Sequence, residues 1–166
     1  MENMFHGQFQ IYNGPEPYIF VSYCHQDAEI VLDILGGLVR AGCRIWFDGG
    51  IPWTDEWGQT IRDRIDHCAV FMAFHSAASA QSEHCRLEIR YALDSRKPAI
   101  SAYLEDVTLG HGLDERLARH RSARLSEYGD RASLEGALMR QSIAAQCAAG
   151  DDRENGENAG EGAVWN

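Results

Sequence analysis

Residues 18–48 read YIFVSYCHQDAEIVLDILGGLVRAGCRIWFD, and they hold a strand, a helix and a second strand in direct succession. Tyr18–Tyr23 is almost continuously apolar and rich in β-formers, and so is Cys43–Phe47. A strand that is apolar on both faces must be covered on both faces, which is the habit of parallel sheets. Between the two runs, Val31, Ile34, Leu35 and Leu38 follow the i, i+3, i+4, i+7 spacing of a helix with one buried stripe. Asp27 is the expected N-cap and Gly42 the stop signal.

The pattern repeats outward from there. Ala69–Phe74 and Ala99–Leu104 are further apolar runs, and Ala123–Tyr128 is a weaker, alternating one suited to a sheet edge. Trp57, Ile61 and Ile65 recur every four residues. A third helix is expected from Glu83 to Arg96, capped by Ser82 and ended before Pro98, and Leu113 with Leu117 marks a short fourth. Leu134, Leu138, Gln141 and Ala145 mark the last. Strand and helix alternating five times imply an α/β domain with a parallel sheet and right-handed crossovers. Residues 1–16 are an N-terminal extension. The domain proper is expected over 17–148. Residues 149–166, acidic and rich in Gly and Asn, are too poor in apolar side chains to fold and are expected to form a disordered tail.

The chain of 166 residues is 45% hydrophobic and 24% charged, the composition of an ordinary globule. Its net charge of −10 repels phosphate backbones, so nucleic acid is not an expected partner. No apolar run is long enough for a membrane helix, and the N-terminus has no signal-peptide pattern. A cytoplasmic protein is expected, with no membrane partner. The cysteines Cys24, Cys43, Cys68, Cys85 and Cys147 are widely spaced and read as buried thiols. The neighbours Cys24-His25 and His84-Cys85 lack zinc-ligand spacing, so no metal is expected.

In open α/β sheets, ligands bind at the carboxyl ends of the strands. The segment there after the first strand, SYCHQD, has no GxGxxG fingerprint. P-loop, receiver-type acidic pair and GxSxG elbow are missing as well. One residue stands out. Cys85, Ile89 and Ala92 form the apolar stripe of the third helix, and Glu88 falls inside it. A carboxylate there must be paired, protonated or functional. The alternatives at this point are a side chain that reaches solvent or pairs with Arg62, Arg86 or Arg90, and a working acid.

Four segments, in order, resemble the Toll/interleukin-1 receptor (TIR) domain over roughly residues 17–147. They are FVSYCHQD (20–27), GCRIWFD (42–48), GGIPWTDEW (49–57) and SAASAQSEHCRLE (76–88), the last with Cys three residues before Glu. The resemblance implies a flavodoxin-like three-layer fold with sheet order 2-1-3-4-5. It implies further that Glu88 is the catalytic acid of a bacterial-type NAD glycohydrolase or cyclase. Such an enzyme releases nicotinamide and leaves ADP-ribose or a cyclic isomer, as in antiphage signalling. NAD is then the substrate, and no cofactor is required. A second implication is a non-enzymatic TIR–TIR module, or an effector that interferes with host TIR signalling. Self-association through the 49–57 loop is expected under either.

The same resemblance puts substrate contacts at Tyr23, Cys24 and His25, with a packing role as the alternative. Asp48 is either a substrate contact or a loop cap. Trp57 is either an aromatic against the nucleotide or part of the core stripe. Ser76 and Ser82 read as turn and cap residues. His84 departs from the pattern, because many active relatives carry Trp there. Its imidazole can stack on a flat ring over a smaller area.

Overall fold

A computed structural model describes residues 9–48 and 55–160, with side chains over 9–48 and 58–147. The elements follow in order. β1 (Ile19–Ser22) leads through a 3-10 turn (His25–Asp27) into α1 (Ala28–Arg40), and β2 (Ile45–Trp46) precedes α2 (Asp55–His67). Next come β3 (Val70–His75), α3 (Ala77–Ala80) and α4 (Glu83–Asp94). β4 (Ala99–Tyr103), α5 (Leu113–Leu117), β5 (Arg121–Arg124), α6 (Leu125–Tyr128) and α7 (Arg131–Gly160) complete the chain. All strand pairs are parallel, and the sheet order is β2-β1-β3-β4-β5. The chain is thus a flavodoxin-like α/β sandwich.

The two-sided apolarity of the strands has its explanation in two separate cores. Ile19, Val21, Val70, Met72 and Phe74 face α1 and α7 and meet Val31, Leu35, Leu134 and Leu138. Their neighbours Phe20, Phe71 and Ala73 point the other way and meet Ile61, Ile65, Ile89, Leu113 and Leu117 of α2, α4 and α5. Successive strand residues alternate faces, so each face receives its own hydrophobic set. Gly42 has φ +102°, the left-handed conformation that ends α1 cheaply only with glycine.

Some boundaries differ from the sequence reading. Asp27 flanks α1, but its side chain makes no cap bond. Its carboxylate instead accepts from Ser76 Oγ at 2.5 Å, tying the end of β3 to the start of α1. A long-range hydroxyl donor has displaced the local amide. The edge strand lies at 121–124, where it pairs with β4, and residues 125–128 beyond the last pair form α6 instead of continuing it. The α7 backbone continues to Gly160, into the stretch whose composition suggests a disordered tail; side chains beyond Cys147 lie outside the described residues. Of the N-terminal extension, residues 9–16 are described. Tyr12 N donates to Ile45 O at 2.9 Å, and Phe9 packs edge-on against Phe47, so this segment lines the outer edge of β2. No helix of the described residues is long and apolar enough to cross a membrane.

Candidate active site

α4 starts as its sequence dictates. Ser82 Oγ accepts from Cys85 N at 3.3 Å, and the buried positions Cys85, Glu88, Ile89, Ala92 and Leu93 then repeat with helical period. Ser76 caps α3 in the same way, through a reciprocal bond with Ser79. Ser22 hydrogen-bonds the Cys85 thiol, so the first turns of α4 sit over the carboxyl end of β1. Glu88, one turn on, is 2% exposed. It does not reach solvent, and its partner is not an arginine.

That partner is His84, on the same face of α4 at i−4. His84 Nε2 contacts Glu88 Oε1 and, at the same atom, Asp48 Oδ2 just beyond β2. The trio therefore bridges the ends of β2 and β1, beside the switch point between β1 and β3 where the chain order of the sheet reverses. Side-chain exposure falls from 29% at His84 through 14% at Asp48 to 2% at Glu88, so the ring is the outermost member.

The electrostatics follow from burial and partners. Burial raises the Glu88 carboxyl to about 8, against the opposing hydrogen bond from His84. Burial also works against a charged His84 ring, but hydrogen bonds to Asp48 and Glu88 outweigh it and raise the ring to about 10. The two shifts pull against each other, since a full cation beside Glu88 lowers its proton affinity. Asp48 reconciles them: it claims part of the ring's charge and repels a second carboxylate.

The remaining sequence candidates are distributed as follows. Tyr23 is core, 9% exposed and edge-on to Phe47 at 5.6 Å; burial, then Asp48, push its hydroxyl up to about 12. His25 is exposed with its ring 5.9 Å from Tyr23. Cys24 is half-buried and close enough to Cys85 to add to the rise of that thiol, which burial chiefly drives, to about 12. Asp48 and His84 join Glu88 directly. Trp57 lies on the α2 backbone with its side chain outside the described residues, as are residues 49–54 of the loop assigned to self-association. The Asp48–His84 link spans 36 residues and was not foreseen; only the i, i+4 spacing of His84 and Glu88 signalled any of it.

A second polar corner lies further along the same sheet edge. His75 ends β3 with no exposure, its Nε2 3.0 Å from Ser101 Oγ and its ring 4.6 Å from Tyr103. Arg124 lies over the Tyr103 ring, 3.8 Å from its centroid. Burial pushes His75 down to about 4. A concavity of about 470 Å³ opens at the opposite, amino end of the strands, lined by Gly14, Tyr18, Thr60, Asp63, Arg64 and His67. It holds no buried acid among its lining residues and lies at the end of the sheet that α/β folds do not use for ligands.

Comparison with known proteins bears on this geometry. A family model described as TIR domain matches residues 19–138. The chain belongs to the TIR domain family. Among solved structures, the TIR domain of a Toll-related receptor from Hydra magnipapillata superposes with TM-score 0.61 at 15% identity, over 75% of this chain and 97% of that one. A CMP N-glycosidase from Clostridium botulinum gives TM-score 0.55 at 19% identity, over 73% and 97%. A diflavin flavoprotein from Nostoc sp. gives 0.57 at 16%, over 84% and 97%. No curated protein matches. At these identities the neighbours establish that the TIR domain has their fold.

Proposed function

We propose that this TIR domain is an N-glycosidase that splits the nicotinamide–ribose bond of NAD, with Glu88 as its catalytic acid group. The observation that carries the reading is a carboxylate buried to 2% on the inward stripe of α4, at the carboxyl end of the sheet. Burying such a group for stability alone is costly. Nicotinamide in NAD is already a cationic leaving group. The C–N bond breaks with its electron pair going to the ring, and C1′ becomes an oxocarbenium ion. A carboxylate held close steadies that cation and positions the ribose hydroxyls. Water then adds at C1′ and loses a proton, giving ADP-ribose; attack by the adenine ring gives a cyclic isomer. The substrate's own positive charge favours the ionised form of Glu88 on binding.

The Clostridium botulinum neighbour acts, by its description, on a base–ribose bond of CMP, which supports this bond class and makes CMP the natural competing substrate. Because His84 engages Glu88, ribose oxygens must take the place of the ring at that carboxylate. The same reading carries self-association through residues 49–57, a cytoplasmic setting and a role in antiphage signalling. Glu88→Gln is expected to lower nicotinamide release by about 10²–10³-fold or more. Chromatography of NAD and CMP digests checks this. A normally folded variant that turns over at the parent rate overturns the role of Glu88.

A second reading rests on the His84 contact itself. A carboxylate already engaged by an imidazolium suits a structural part in a TIR–TIR docking module. Absence of base release from either nucleotide, in dilute and in concentrated or crowded protein, favours it.

A further inference from the structure

The donors that surround His84 Nε2 come from two places in the chain and meet at one point. Asp48 offers a carboxylate oxygen from beyond β2, while His84 and Glu88 offer nitrogen and oxygen from successive turns of α4. All three atoms lie within 4.8 Å of one another. We propose that Asp48, His84 and Glu88 form a binding site for one divalent transition-metal ion of the zinc class.

Donor set and geometry both favour such an ion. A ring nitrogen carries at most one proton, so it makes one straight hydrogen bond, yet here it faces two carboxylate oxygens. A metal ion takes all three donors at once. Two carboxylates with a neutral imidazole carry two negative charges, which a divalent ion balances. Residues at i and i+4 on one helix face are the spacing by which a helix supplies two ligands to one metal. Three protein ligands leave a fourth, open position in tetrahedral coordination. Magnesium and calcium prefer six or more oxygens, and the three donors that meet here among the described residues include a nitrogen. The partly exposed edge of His84 gives the ion a route from solvent. The Cys–His neighbours of the sequence supply none of these donors except His84 itself.

A consequence rests on the proposed function. An ion on Glu88 cancels the negative charge that the ribose cation needs, so zinc holds the enzyme off.

Calorimetric titration of chelator-stripped full-length protein with Zn²⁺ is the direct test, in a Cys147→Ser background that removes the exposed thiol. One equivalent is expected to bind. His84→Gln and Asp48→Asn, each checked for folding by circular dichroism, are expected to weaken binding by about 100-fold or more, beyond the loss typical of outer-shell changes. Mg²⁺ and Ca²⁺ should give no heat. Cobalt(II), in place of zinc, should produce the intense visible bands of a four-coordinate ion, lost in both variants. No zinc binding by the parent, or binding undiminished in both folded variants, overturns the site. Zinc that binds without suppressing nicotinamide release overturns the inhibition alone. A Glu88→Gln protein that releases nicotinamide at the parent rate overturns the catalytic role of Glu88 and leaves the binding result standing.

Discussion

Two histidines stand at the carboxyl end of one sheet and are driven in opposite directions. His75 is wholly buried and pushed down to about 4; its ring meets a serine hydroxyl and a tyrosine face. His84 is partly buried and pushed up to about 10, between two carboxylates. Burial opposes the charge in both. What differs is the partner: a hydroxyl leaves the desolvation cost uncompensated, and carboxylates reverse it. One corner is therefore a neutral piece of core, and the other is a charged cluster at the mouth of the sheet.

The contrast is tested most severely at His84. His84→Ala leaves Glu88 and Asp48 facing each other without a cation, and should cost about 2–3 kcal/mol at pH 7, with Glu88 limiting the loss by keeping its proton. Urea midpoints of chelator-treated parent and variant measure it. A loss below about 0.5 kcal/mol, the scale of an ordinary surface change, would mean that the cluster is not coupled. Because both folded values are raised, the contribution of the Glu88 proton is complete below about pH 4.5 and is lost by about 8, and that from His84 is complete below pH 6.5 and fades towards 10.

The His75 corner should respond at the other end of the pH scale. Its folded value is depressed, so the unfolded chain takes the proton first and stability falls as pH drops below 6.5 towards 4. The contribution is about 2–3 kcal/mol by pH 4.5. His75→Phe should flatten that part of the stability–pH curve; an unchanged slope would show that the ring does not titrate in this window. The smallest effect belongs to Arg124, whose guanidinium covers Tyr103 and disfavours a charged His75. Arg124→Gln should cost about 0.5–1 kcal/mol and move the His75 imidazole resonances to titrate at higher pH by NMR. A shift to lower pH would break the assignment of that charge.

Much of the fold was legible because its signals are local. The apolar runs marked β1, β3 and β4, and Ser82 marked the start of α4. The position of Glu88 on the buried stripe followed from three neighbours in the same helix. Asp27 misled, since a good capping residue takes the nearest strong donor, and that donor, Ser76 Oγ, comes from 49 residues away. The sequence shows only the flat ring of His84, because its carboxylate partner beyond β2 is invisible to any window along the chain. His75 was missed as a residue of interest: in sequence it is one more position after an apolar run, and only full coverage by the neighbouring strand makes its proton affinity unusual.

By itself, the sequence determined the alternation of strand and helix, the demand for cover on both sheet faces and the presence of an acid where an apolar side chain belongs. These follow from periods of two and 3.6 residues and from caps, which act over a few neighbours. The tertiary structure alone decided that Asp48 meets His84 and Glu88, and that two histidines on one sheet edge differ so widely. Proton and metal affinities depend on distance and desolvation, and the crossovers that pack α4 over the ends of β1 and β2 set both.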